Sequence, residues 1–241
     1  MKNIILILLM FVLPLKAVAQ NPTVVSFNVD KSKSMASNSA KQDKYFTSIV
    51  KKHTKGKKNV IFQIRFINAN SSSASNSRTF IYEIPVFKGS NNDELERVLH
   101  QNKINRKRKS IAKRIVKFIN EYEAEAKYTN IISSLVPLST LKSSDIFVYY
   151  FTDGVESSKQ FRMLDLRPFK TAKEAIISAK VDVKKLKNIY KMPHQLKGIN
   201  KVEFIIPMQM DKKVKGSDFI GDYFSEVFRL FQVTELEFIT L

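Results

Sequence analysis

Asp30, Ser32 and Ser34 stand at alternate positions at the end of the apolar stretch VVSFNVDKSKS. One carboxylate and two hydroxyls form a set of hard oxygen donors. Mg²⁺ or Mn²⁺ takes such ligands readily, whereas zinc favours nitrogen and sulfur. Taken alone, Asp-x-Ser-x-Ser reads first as a turn or a helix cap, because both residue types satisfy nearby backbone N–H groups. Two more oxygen side chains sit at comparable places: Thr129 in a short break within KYTNIISSL, and Asp153 in FTDGVES, directly after an apolar run. Whether the five meet depends on the elements that carry them.

Residues 24–29 are β-branched and aromatic enough for a buried strand, with Val24, Val25, Phe27 and Val29 as its apolar members. Ser37, Asn38 and Ser39 offer caps for a helix over about residues 40–53, with Tyr45, Phe46, Ile49 and Val50 on one face and Gly56 as its stop. Residues 59–67 (NVIFQIRFI) and 79–87 (TFIYEIPVF) predict two strands. Only a small, polar, low-complexity loop over 68–78 separates them, so they form an antiparallel hairpin at a sheet edge, where Pro85 is tolerated. Residues 91–126 are helical, in one or two segments, with Ile111, Ile115, Phe118, Ile119 and Tyr122 toward the sheet. A helix over about 130–141 leads to Asp145 and to residues 146–151 (IFVYYF), apolar throughout as in a strand buried on both faces. Gly154 permits the sharp turn that leaves Asp153 at that strand's end. A helix over 171–190, a strand over 202–207, a helix to 230 capped by Ser217 or Asp218, and a strand over 236–241 complete the chain.

The order β-α-β-β-α-α-β-α-β-α-β predicts an α/β fold: a mostly parallel central sheet with one antiparallel edge strand and helices on both faces. Ligands of open sheets bind in the crevice beyond the carboxyl ends of the strands. Asp30, Ser32, Ser34 and Asp153 leave their strands there, and Thr129 lies in a loop reaching the same edge. Two carboxylates and three hydroxyls then surround one point.

Residues 1–19 predict a secretory signal peptide: Lys2, an apolar run over 4–15, and the small-x-small site Ala17-Val18-Ala19. The apolar run is too short for a membrane span. Residues 20–241 then form one domain, exported to the periplasm or beyond the cell and without a transmembrane anchor. There is no cysteine, which excludes disulfides, thiol chemistry and cysteine-held zinc. The net charge is +19, from 41 Lys and Arg against 22 Asp and Glu. Such a balance favours anionic partners, an acidic protein or an anionic surface, with nucleic acid disfavoured for an exported chain. Between residues 103 and 117 lie Lys103, Arg106, Lys107, Arg108, Lys109, Lys113, Arg114 and Lys117. They read either as a solvated helix face or as an anion-binding surface.

On the motifs Asp30-Lys31-Ser32-Lys33-Ser34, Thr129 in YTNIISSL and Thr152-Asp153-Gly154, together with the strand order and the early hairpin, the chain resembles a von Willebrand factor type A domain. The resemblance implies a metal-ion-dependent adhesion site. Ser32, Ser34 and Thr129 are then direct or near-direct ligands of an octahedral Mg²⁺ or Mn²⁺, and Asp30 and Asp153 bind it directly or through water. One position stays open for a carboxylate of a protein partner. Two features depart from the family: Tyr128 stands where Gly is common, and Lys31 and Lys33 flank the motif. The function so implied is a non-enzymatic binding module. The alternative is a charge-driven binder of an anionic surface or polymer, acting through its basic helices. A haloacid-dehalogenase-like phosphohydrolase also begins with an Asp at a strand end, but needs a second acid two residues on, where this chain has Ser32. His53, His100 and His194 are expected at the surface, and Asp43, Asp145, Glu156 and Asp165 as caps, turns or supports of the site.

Overall fold

A computed structural model describes residues 21–31, 39–68, 71–72, 77–90, 93–123, 129–158, 161, 168–206 and 219–240. Ser32, Ser34, Lys33 and Tyr128 lie outside these residues, as do the signal segment, the caps Ser37, Asn38, Ser217 and Asp218, Asp165, and most of the polar loop after residue 68.

The strands are β1 (Thr23–Asp30), β2 (Asn59–Ile67), β3 (Ser77–Glu83), β4 (Ile146–Phe151), β5 (Ile199–Ile206) and β6 (Leu236–Thr240). They form one sheet in the order β3-β2-β1-β4-β5-β6. Every neighbouring pair is parallel except β2 with β3. The expected α/β architecture is therefore the observed one. The helices are α1 (Ser39–Thr54), α2 (Glu94–Glu121), α3 (Leu135–Leu138, entered through a 3₁₀ turn at Ile132–Ser134), α4 (Ala172–Tyr190) and α5 (Ile220–Arg229). Side-chain direction alternates along a strand, so each strand feeds two cores.

One face is dry. Val25, Phe27 and Val29 of β1 join Val60, Phe62, Ile64, Phe66, Tyr149 and Phe151 beneath α1 and α2. Phe27 sits at the centre, its ring 5.4 Å from Phe46, 6.2 Å from Phe62 and 5.7 Å from Tyr149. Ile111, Ile115 and Ile119 of α2 pack here, with Phe118 and Tyr122 against them. The other face carries α3, α4, α5 and the 3₁₀ turn over Val24, Ile146, Val148, Tyr150, Val202 and Phe204.

Several local expectations shift. β3 ends at Glu83, so Pro85 lies beyond the edge strand rather than in it. The segment after Thr129 winds as a 3₁₀ turn and a four-residue helix instead of one helix over 130–141. Pro137 removes a backbone donor there and the Ser133-Ser134 pair competes for backbone groups. His53 is buried, not superficial: its Nε2 meets the Tyr149 hydroxyl at 2.6 Å. Burial lowers its imidazole to about 4, with Lys52 adding to the effect.

Candidate functional site

In a parallel sheet wound in both directions, the crevice opens where the connections diverge to opposite sides. Here that point lies between β1 and β4, the two central strands. Asp30 is the last residue of β1 and Asp153 follows β4 by two residues. Both carboxylates are buried, at 1% and 8% exposure. The Thr152 hydroxyl donates to Asp30 Oδ2 at 3.0 Å, and the Gly154 N–H donates to the Thr152 hydroxyl at 3.1 Å. This relay links the end of β4 to the carboxylate on β1. Gly154 has φ of +76°, and a Cβ there would lie 2.9 Å from Ile220 Cγ2. The turn therefore requires glycine on two grounds. The Val155 N–H donates to Asp153 Oδ1 at 2.9 Å, closing an Asx turn around the second carboxylate.

Thr129 reaches this edge because its segment is stapled to the loop after β4. Its N–H donates to Ser157 Oγ at 2.6 Å, and the Ser157 N–H donates back to the Thr129 carbonyl at 2.9 Å. Glu156 supplies a second staple: its Oε2 accepts the Ile132 N–H at 3.0 Å and its Oε1 accepts the Ser158 N–H at 3.2 Å. Burial pushes the Glu156 carboxyl up to about 7, and these hydrogen bonds only partly oppose it. Asn130 Oδ1 accepts the Ser133 N–H and so shapes the same turn.

Three of the five sequence-predicted ligands, Asp30, Thr129 and Asp153, thus belong to one edge of the sheet. Ser32 and Ser34 follow Asp30 by two and four residues, outside the described segment. The donor chemistry fits a hard divalent cation: two buried carboxylates and a hydroxyl residue, with neither nitrogen nor sulfur among them. Lys31, next to Asp30, is half-buried. Desolvation lowers its ammonium pKa, and Asp43 opposes that shift. Ser157 and Asn130 carry no signal in the sequence; each acts by holding a backbone, and serine and asparagine are common in any loop.

Asp145, at the opposite edge, is a counterexample among the acidic residues. It accepts from Thr23, from Lys57 Nζ at 3.0 Å and from Asn200 Nδ2 at 2.8 Å. It ties β1, β4 and β5 together at their amino ends and is structural.

No family model matches the chain, and no curated protein matches it. Among solved structures it is similar to the pilus adhesin SpaC from Lactobacillus rhamnosus GG in its open conformation, with 13% identity and a TM-score of 0.47. That likeness covers 91% of this chain and 28% of the adhesin. The human COPII-coat protein Sec24c is similar at 11% identity and a TM-score of 0.36, over 92% of this chain and 30% of the coat protein. The chain spans less than a third of the length of either. Likenesses this remote carry no functional argument, and the fold rests on the sheet order and register.

Proposed function

We propose that the chain is an exported, non-enzymatic binding module of the von Willebrand type A kind. A Mg²⁺ or Mn²⁺ ion at the carboxyl edge of the sheet would receive an acidic side chain of a protein partner. The observation that supports this reading is the pair of buried carboxylates, Asp30 and Asp153, at the carboxyl ends of the two strands flanking the central crevice, with the Thr129 backbone stapled to the loop that follows Asp153. Asp30, Ser32, Ser34, Thr129 and Asp153 would hold the ion. A site with two carboxylates and several neutral oxygens leaves the cation able to accept one more carboxylate. The test is titration of Mn²⁺ into the purified chain, followed by partner capture from the cell envelope in Mg²⁺ or in EDTA. Saturable Mn²⁺ binding that Asp30→Ala abolishes, with capture lost in EDTA, supports the reading. Capture indifferent to both would sink it.

One observation favours the alternative, a charge-driven binder. The first turns of α2 expose Leu95, Val98 and Leu99 at 67%, 50% and 58%, beside Val86 at 77%. Lys88, Lys103 and Lys107 line the adjoining groove. An apolar patch with a basic rim suits an anionic partner. Its signature is affinity that falls steeply with salt and ignores EDTA.

A further inference from the structure

Beneath the carboxyl edge, on the face that carries α3 to α5, runs a row of polar groups that nothing in the proposed cation site uses. Asn28 of β1 is fully buried, and neither its Oδ1 nor its Nδ2 has a hydrogen-bond partner among the described residues. The strand register sets it between Arg65 of β2 and Tyr150 of β4. Arg65 gives one bond, from Nη2 to Gln63 Oε1 at 2.7 Å. Its Nε and Nη1 are buried and have no hydrogen-bond partner among the described residues. Two residues earlier on β1, Ser26 is also fully buried with an unpaired hydroxyl, in register with Gln63.

Each unmet group keeps the full penalty of leaving water, which is larger when the group is charged. A buried guanidinium with no counter-charge is the most costly of all. Desolvation lowers Arg65 to about 10, and among the described residues Tyr150 is the electrostatic neighbour that opposes this. A native sheet does not keep four such atoms on adjacent residues, plus a serine hydroxyl, without something that satisfies them.

We propose that this row is a binding site for a small oxyanion that keeps a hydroxyl, of the hydrogen-phosphate or bicarbonate type. The donor count selects that class. Arg65 Nε and Nη1 and Asn28 Nδ2 need acceptors, and the guanidinium needs negative charge. Asn28 Oδ1 needs a donor, which a halide or an ionised carboxylate lacks and a protonated oxyanion has. The anion has a route in. Arg65 and Gln63 are half-buried, and on the neighbouring strand Ile81, which shares their face, is 58% exposed. The β2–β3 side of this face therefore opens to solvent.

The test is calorimetric titration of sodium phosphate and of sodium bicarbonate into the purified chain, with ionic strength held constant by sodium gluconate. Thermal unfolding is followed by circular dichroism in the same solutions. Saturable one-to-one binding is expected, with a melting temperature that rises with phosphate or bicarbonate concentration. Chloride and acetate should produce neither effect. Arg65→Met and Asn28→Ala should each weaken binding at least tenfold, whereas Lys103→Gln with Lys107→Gln should leave it unchanged. The proposal is overturned if chloride or acetate matches phosphate, or if no anion raises the melting temperature above gluconate, since water alone then fills the row. Loss of binding in the Lys103 and Lys107 variant overturns it too, because the anion then sits on the surface. Should Arg65→Met fail to fold, the wild-type anion series and Asn28→Ala still decide.

Discussion

The two faces of the sheet are built from the same strands and solve opposite problems. Toward α1 and α2, β1 presents Val25, Phe27 and Val29, all at 0% exposure, among stacked and edge-on rings. Toward α3, α4 and α5 the same strand presents Val24, Ser26, Asn28 and Asp30, apolar only at its start. The dry face supplies stability and keeps few polar groups, the buried Tyr82 hydroxyl among them. The polar face grades from an apolar floor to a carboxylate at the rim. Chemistry is concentrated on the second face, which also has an apolar core of its own, whereas the first face serves stability alone.

Phe27→Ala strikes the dry face at its centre and should produce the largest effect. A buried Phe truncated to Ala costs about 3–5 kcal/mol, which denaturant titration would register as a lower midpoint. Mn²⁺ affinity of the folded fraction should be unaltered. If Phe27→Ala costs under about 1 kcal/mol, the division of labour between the faces is wrong.

The next effect is one of pH, since Glu156 on one face and His53 on the other are buried and shifted in opposite directions. Burial raises Glu156 from 4.5 to about 7. The fold therefore favours its protonated form; that stabilisation is complete below 4.5 and is lost as pH rises through about 7. Burial lowers His53 from 6.5 to about 4. The fold favours neutral imidazole, so its contribution is present above 6.5 and is lost as pH falls through about 4. Between about 4.5 and 6.5 the two slopes oppose and flatten the profile. Melting temperature measured against pH should show Glu156→Gln removing the loss toward neutrality and uncovering the acid limb set by His53. An unchanged profile in Glu156→Gln would mean that this carboxyl does not titrate in the fold.

Smaller still is Asn28→Val on the polar face. Replacing a buried polar group that lacks partners by an apolar one of similar size is close to neutral. In gluconate alone the change should lie within about 1 kcal/mol of wild type by denaturant titration. A much larger loss would mean that Asn28 is satisfied even without an anion. The smallest effect belongs to neither face. Lys117 and Glu121 form an exposed pair one helical turn apart, at 3.5 Å, and Lys117→Ala should change stability by no more than about 0.5 kcal/mol.

Much of the fold was legible because alternation and apolar runs are local. The sequence reading of β2 over residues 59–67 and of β4 over 146–151 matches the observed strands residue for residue. The helix expected after Thr129 is cut short because Pro137 and the serine pair weigh against an apolar pattern that by itself reads as helix. His53 looked superficial between lysines. Its burial depends on Tyr149, ninety-six residues away, and no window along the chain contains both. In the candidate site, Asp30 and Asp153 were visible as carboxylates closing apolar runs. Asn28 and Arg65 were not, because a polar residue inside a strand declares its face only once the register with its neighbours is known.

The relay from Thr152 to Asp30 has a consequence in time as well as in space. It joins residues 122 apart in the chain, and the whole β1–β4 pairing spans the same interval. Strand β1 therefore lies at the middle of the sheet and cannot gain β4 as its second neighbour until more than a hundred further residues have followed. Pairings so distant make loop closure slow to be rewarded, and folding dominated by them falls toward the millisecond-to-second end of the scale. Until then β1 is an apolar strand with an unpaired edge, and the interval between synthesis and closure is when this chain is most open to aggregation.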